Sequence, residues 1–147
     1  MKTELTVRAV HQGGMRVLAS DGDFHVTMDY PIGSDEVAAG PTPLTMLLAS
    51  LAACSLNSVV VVLKKMQQPI AGIEVNARAI RKTEHPTGLS DISLEFVVQG
   101  DADPAAVWRA LQLSEERLCP VWNMLKSSSS IRAVFRLENK TVASLIH

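Results

Sequence analysis

The chain contains one long apolar stretch, in which no residue from Leu44 to Leu63 carries a charge. Thr42-Pro43 just before it is a typical helix start, because threonine caps free N–H groups and proline fits the first helical position. Lys64-Lys65 at its end suit the negative end of a helix dipole. We therefore predict a single helix from Thr42 to about Met66, apolar all round and buried at the centre of the fold.

Two membrane interpretations compete with this buried helix. The stretch is long enough to span a bilayer, and Leu51-Ala52-Ala53-Cys54 looks like the cleavage box of a bacterial lipoprotein. The residues before it are rich in acids and alternate as strands, unlike a signal peptide, and polar residues such as Asn57 interrupt the apolar run. We expect no membrane association and, because Met1-Lys2-Thr3-Glu4 leads directly into a strand pattern, a cytoplasmic location.

The rest of the chain alternates as strands on both sides of the helix. The predicted elements before it are three short strands near residues 5–10, 15–19 and 24–28, joined by turns. The predicted elements after it are strands at about Ile73–Ile80 and Ile92–Val98, a helix starting at Asp103-Pro104, a short helix from Glu115 to about Lys126 capped by Ser114, and a last strand from Ile131 to Leu137. This order predicts an α+β fold in a single domain over residues 1–147.

Composition excludes several classes of function. Hydrophobic residues make up 47% of the chain and charged residues 20%, as in globular proteins. The 14 basic and 15 acidic residues leave a formal net charge of -1, so no basic surplus is available to bind phosphates. With only 4% aromatic residues, base stacking is also disfavoured, and we expect no nucleic-acid partner.

The two cysteines, Cys54 and Cys119, are the residues most apt for chemistry. Taken alone, Cys54 in its apolar helix is more typical of a small buried hydrophobe, as free cysteine often is. Cys119 precedes Pro120, and a residue before proline is pushed out of helical geometry, so its thiol can be presented to a pocket. The sequence has no C-x-x-C, and its four histidines stand at no ligand spacing from either cysteine, so we expect no metal or other cofactor. A cysteine-protease pairing is compatible with the spacing but has no positive support.

Two motifs around these cysteines resemble a known family. The stretch Pro43-Leu44-Thr45-Met46-Leu47-Leu48-Ala49-Ser50-Leu51-Ala52-Ala53-Cys54 looks like the central helix of the OsmC/Ohr family of osmotically inducible and organic hydroperoxide resistance proteins. Glu116-Arg117-Leu118-Cys119-Pro120-Val121 looks like that family's second cysteine motif. The resemblance implies an OsmC-like fold, with antiparallel sheets wrapped around long central helices in an intertwined homodimer.

The resemblance also implies a thiol peroxidase of the oxidative stress response. In that mechanism Cys54 attacks an organic hydroperoxide as a thiolate and becomes a sulfenic acid. Cys119 then condenses with it to a disulfide, which an external dithiol, often of the lipoyl type, reopens. Two alternatives remain open: a non-catalytic or redox-sensing dimer that binds a small ligand in an apolar interface pocket, and detoxification by addition of Cys54 to electrophiles.

Such a mechanism needs a cation beside the first thiol, because few free thiols are ionised at neutral pH. In the hydroperoxide-resistance subgroup an arginine at the start of the second strand has this role, and Arg16 matches it. That subgroup holds the arginine with a glutamate ten residues before the first cysteine, where this chain has Leu44. Asp35 or Glu36 in the preceding loop is the substitute that the sequence offers.

Overall fold

The computed structural model describes residues 2–138 except 32 and 34. Its elements in chain order are β1 (Arg8–His11), β2 (Val17–Ser20), β3 (His25–Met28), α1 (Pro43–Lys65), β4 (Ile70–Arg81), β5 (Leu89–Gly100), α2 (Pro104–Leu113), a π-helical turn (Ser114–Leu118), α3 (Pro120–Leu125) and β6 (Ser130–Glu138). These elements confirm the predicted α+β class. The described residues form two compact units that divide between Leu47 and Leu48, and the prediction of a single domain stays a prediction.

The first unit contains an antiparallel sheet in the order β1-β2-β3. The turn between β2 and β3 follows from Asp21-Gly22: Gly22 adopts a φ of 107°, and the Asp21 carboxylate accepts the N–H of Phe24 at 2.9 Å. The strands are shorter than predicted. β1 begins only at Arg8, because Leu5 and Val7 find no cover and are 84% and 71% exposed.

The core of the second unit lies between α1 and the sheet β4-β5-β6. As predicted, one face of β5 is apolar, and its side chains Ile92, Leu94, Phe96 and Val98 are fully buried. From α1 the core takes Leu51, Val59, Val62 and Leu63. Burying each large side chain of this kind is worth roughly 1.5–3 kcal/mol, so this packing is the main reason for the position of α1 in the unit.

The expectation of antiparallel sheets holds for β1-β2-β3 and for β4 with β5, whereas β6 runs parallel to β5. The chain between β5 and β6 contains α2, the π-helical turn and α3. A crossover of this length returns the chain in its original direction, which a short hairpin cannot do. The sheet of the second unit is therefore mixed.

Helix α1 starts and ends as predicted, but it is not buried on all sides. Its described neighbours cover one side, and Val61 remains 48% exposed on the other. Among the described residues α1 is the one helix that is long and apolar enough to cross a membrane. Of its most apolar 18-residue stretch, 33% is buried inside the chain. Its buried side belongs to the core described above, as in a core helix of a soluble protein.

The segment after α2 corrects a second expectation. Ser114 does not cap a helix from Glu115 to Lys126; it opens the π-helical turn, and a separate helix α3 starts at Pro120. The break lies at Cys119, which has the extended dihedrals φ -91° and ψ 103°. Its physical cause is Pro120, which has no N–H to donate and excludes helical geometry from the preceding residue.

Candidate functional site

Cys119 caps the N-terminus of α3 with its sulfur. The thiol accepts the backbone N–H of Trp122 at 3.4 Å, the bond that a Ser, Thr or Asp oxygen makes at most helix starts. The backbone N–H of Cys119 donates to the Ser114 carbonyl at 2.9 Å and closes the π-helical turn. Cys119 is only 1% exposed, so its sulfur is held in one place from both sides and kept from solvent.

Cys54 is brought to this same point from the middle of α1. Cys54 packs against the buried cluster that contains Cys119, and both the Val121 N–H and the Cys119 thiol lie close enough to its sulfur to affect its pKa. Both cysteines are free thiols, Cys54 half-buried and Cys119 buried. The fold thus brings together two cysteines that lie far apart in the sequence, at the start of α3, with the more exposed thiol being that of Cys54.

Burial is the largest cause that raises the pKa of the Cys54 thiol. The Val121 N–H acts in the opposite direction, because a donor stabilises the thiolate, and proximity to Cys119 raises the pKa again. Within its own surroundings in the second unit, Cys54 is therefore a poorly ionised thiol at neutral pH. Its reactivity as a nucleophile requires a further cation or donor.

Two serines accompany the thiols, and each is 0% exposed. The Ser55 hydroxyl lies 3.5 Å from the Cys119 sulfur. The Ser114 hydroxyl donates to the Ser55 carbonyl, also at 3.5 Å, and so ties the π-helical turn to α1. Buried hydroxyls are costly unless they are hydrogen-bonded, so these contacts help to fix α1, the turn and Cys119 relative to one another.

Arg16 lies in the first unit and forms an ion pair with Asp29, with 3.6 Å between Nε and Oδ2. The Asp29 carboxylate also accepts the backbone N–H groups of Tyr30 at 2.9 Å and Ala39 at 3.0 Å. The Ala39 N–H is the largest cause of a lowered pKa for Asp29, and Tyr30 and Arg16 add to it. The guanidinium thus has a carboxylate partner that stays ionised throughout the neutral range.

A cleft of about 310 Å³ opens beside this ion pair. Its lining residues are Gln12, Gly13, Gly14, Met15, Arg16, Asp29, Tyr30, Glu36 and Val37. The loop that supplies Ala39 passes very close to β3: a Cβ on Gly40 would lie 2.0 Å from the Thr27 carbonyl oxygen, so only glycine fits there.

Among residues 2–138, with 32 and 34 left aside, no group of three or more His, Cys, Asp or Glu is placed to bind a metal ion.

The fold and the site define an α+β protein with a dithiol site between a central helix and a Cys-Pro turn. The sequence profile of the family described as OsmC-like protein matches residues 33–133. The chain belongs to this family.

Protein YhfA of Escherichia coli K12 is 38% identical over 92 residues, which are 62% of this chain and 69% of that protein. A hypothetical protein from Aquifex aeolicus VF5 superposes with a TM-score of 0.84 at 23% identity, over 95% of this chain and 100% of that one. The OsmC-like protein from Mycoplasma pneumoniae superposes with a TM-score of 0.80 at 24% identity, over 93% of this chain and 99% of that one. The organic hydroperoxide resistance protein OhrB of Bacillus subtilis superposes with a TM-score of 0.65 at 19% identity, over 90% of this chain and 98% of that one.

The sequence did not indicate Asp29 or Ser55 as site residues, and it gave Ser114 a different role. Asp29, the partner of Arg16, is only 7% exposed, but alternation along β3 places it on the face opposite to the apolar side chains and so gave no signal of its burial. Ser55 carried none, since a serine beside a cysteine in an apolar helix is compatible with any role. Ser114 was noticed as a helix cap, but its hydroxyl contacts the Ser55 backbone of α1 instead.

Proposed function

We propose that this protein is a thiol-dependent peroxidase that reduces organic hydroperoxides through a Cys54 sulfenic acid and a Cys54–Cys119 disulfide. The observation that carries the proposal is the meeting of the two thiols at the start of α3. A pair of free thiols in contact can take two electrons from a substrate and close a disulfide without a metal or organic cofactor. One structural relative is the organic hydroperoxide resistance protein OhrB of Bacillus subtilis, and its name supports the choice of substrate class.

The difference in exposure between the two thiols supports the proposed order of events. Cys54 is the more exposed thiol, so it attacks the O–O bond; its sulfur becomes a sulfenic acid and the alkoxide leaves as an alcohol after protonation. Cys119, buried and adjacent, attacks the Cys54 sulfur, and hydroxide leaves as water. An external dithiol then exchanges with the disulfide and restores both thiols. A lipoyl-type dithiol is the proposed reductant.

Arg16 is the proposed activating residue. Burial raises the pKa of Cys54, so the attack needs a cation to stabilise the thiolate. A guanidinium suits this role because it stays protonated, and the ion pair with Asp29 restricts its orientation. In this proposal Asp29 takes the part of the family glutamate whose position is occupied by Leu44.

The proposed assembly is a homodimer in the cytoplasm. The support is the apolar surface of α1 that a single chain leaves open, including Val61 at 48% and Leu47 at 37% exposure. A second copy of the chain can cover such a surface, as the family resemblance implies. A mass in solution close to that of one 15.9 kDa chain would contradict this assembly.

Turnover of a hydroperoxide tests the function. Reduced protein is mixed with cumene hydroperoxide and dihydrolipoamide, and peroxide consumption is followed. We expect sustained consumption by the wild type and none by Cys54→Ser, whereas Cys119→Ser consumes one equivalent and then stalls. Wild-type protein that leaves the peroxide untouched would refute the function, and a co-purified small ligand together with inert thiols would support the ligand-binding alternative.

A further inference from the structure

The Ser55 hydroxyl is a buried donor that the peroxidase scheme does not use. It lies 3.5 Å from the Cys119 sulfur, and no other bond of this hydroxyl is found among the described residues. Ser55 is 0% exposed, so bulk water does not reach the hydroxyl. Its hydrogen-bonding capacity is therefore directed at the sulfur of Cys119.

The direction of this bond depends on the state of Cys119. A thiol can donate its S–H to the serine oxygen, but a thiolate or a disulfide sulfur has no hydrogen and can only accept. In both of those states Ser55 must be the donor. The Trp122 N–H, at 3.4 Å, donates to the same sulfur, so once Cys119 loses its proton the sulfur can accept from both donors without their moving.

We propose that Ser55 is a positioning residue for the second half of the reaction: its hydroxyl hydrogen-bonds the Cys119 sulfur and orients it for attack on the Cys54 sulfur. The inference deepens the proposed function and rests on it. Cys54 and Ser55 are neighbours on α1, so the helix that carries the electrophilic sulfur also carries the donor for its attacker. The Ser114 hydroxyl, which binds the Ser55 carbonyl, fixes this part of α1 against the turn that precedes Cys119.

In the step itself, the Cys119 thiolate supplies an electron pair to the Cys54 sulfur, and the S–S bond forms as the S–O bond of the sulfenic acid breaks. Hydroxide leaves with the pair and is protonated to water. Because the Ser55 and Trp122 donors already face the sulfur, little reorganisation is needed at the moment of attack. Burial of Cys119, 1% exposed, meanwhile keeps peroxide from oxidising it directly.

The test isolates this step by using an aromatic disulfide, dithionitrobenzoate, in place of peroxide. In the first phase the Cys54 thiolate breaks the reagent's S–S bond, forms a mixed disulfide and releases one thionitrobenzoate anion. In the second phase Cys119 attacks the Cys54 sulfur and releases the second anion. Stopped-flow absorbance records both releases, and Cys119→Ser identifies the second phase by abolishing it.

We expect Ser55→Ala to slow the second phase by about ten- to a hundredfold, the effect of losing one hydrogen bond to a charged group, and to leave the first phase within about twofold. Ser55→Thr, which keeps a hydroxyl, should retain most of the second-phase rate. The matched control is Ser58→Ala, which removes another hydroxyl of α1, one bonded to the Cys54 carbonyl at 3.0 Å, and should change neither phase.

A second phase in Ser55→Ala that is as fast as in the wild type would overturn the proposal. Equal slowing of both phases, or the same slowing in Ser58→Ala, would also overturn it, because the hydroxyl would then act through stability alone. The peroxidase function fails separately: a wild type that closes its disulfide with dithionitrobenzoate but ignores cumene hydroperoxide refutes that function and leaves the result on Ser55 standing.

Discussion

Cys54 has surroundings that disfavour its own anion. Burial and the neighbouring Cys119 raise the pKa of its thiol, and the single Val121 N–H lowers it. Arg16 has the opposite character: a permanent cation whose carboxylate partner, Asp29, has a lowered pKa. A lowered carboxyl pKa means that the pair is present above the ordinary value of 3.8 and is lost only as pH falls below it. Asp29 is therefore an ionised partner for the guanidinium at every pH at which a thiol can ionise.

Removing Arg16 tests its proposed role through the titration of Cys54. In a Cys119→Ser background, the rate of alkylation by iodoacetamide follows the thiolate fraction of Cys54 as pH rises. We expect Arg16→Ala to raise the pH midpoint of this alkylation by about one pH unit or more, and to slow alkylation at neutral pH by about tenfold for each unit. The midpoint rises because loss of a nearby cation disfavours the thiolate.

The matched control is Arg8→Ala, which removes an exposed arginine from the neighbouring strand β1 and should leave the midpoint where it is. Coincident titration curves for the wild type and Arg16→Ala would show that this arginine does not act on Cys54.

At the scale of elements, the site depends on an interruption between two helices. The chain after α2 makes a π-helical turn, breaks at Cys119 and starts again as α3 at Pro120. A continuous helix would turn the Cys119 thiol away from its capping position, whereas the break allows the sulfur to accept the Trp122 N–H at 3.4 Å. Pro120 is the residue that enforces the break.

Pro120→Ala tests this dependence. Alanine restores an N–H and permits helical geometry at Cys119, so we expect the turn and α3 to merge in part and the sulfur to lose its cap. Disulfide closure, measured as the second phase of the dithionitrobenzoate reaction, should slow by about tenfold or more. Pro104→Ala is the matched control, since α2 also starts with a proline but is capped by Asp103 away from the thiols. Unchanged closure in Pro120→Ala would contradict this account of the break.

How much of the site was predictable from sequence differs from element to element. The bounds of α1 were predictable because capping and charge signals mark both ends, and the buried face of β5 was predictable from its alternation. The position of β6 was not, since its parallel pairing depends on the path of the whole crossover. The contact between Ser55 and Cys119 was not predictable either, because it depends on the angle at which the turn meets α1.

At the scale of the whole molecule, each feature of the second unit serves the contact between the two thiols. The sheet positions α1 through a buried apolar core, and the crossover that makes β6 parallel also carries Cys119 back to α1. Two neighbouring thiols can give up two electrons together by closing a disulfide, and the thiols are restored when an external dithiol returns those electrons. The family assignment agrees with the fold, and the chemistry of the pair is the claim that experiment has to decide.

Intact mass after one equivalent of cumene hydroperoxide tests that claim most directly. Reduced protein is treated with the peroxide under native conditions. Free thiols are then blocked with an alkylating reagent, and the mass of the intact protein is measured by mass spectrometry. We expect the wild type to lose the mass of two hydrogen atoms and to gain no alkyl group, as a Cys54–Cys119 disulfide requires, and we expect Cys119→Ser to gain one oxygen. Wild-type protein that instead keeps both thiols open to alkylation would contradict the account.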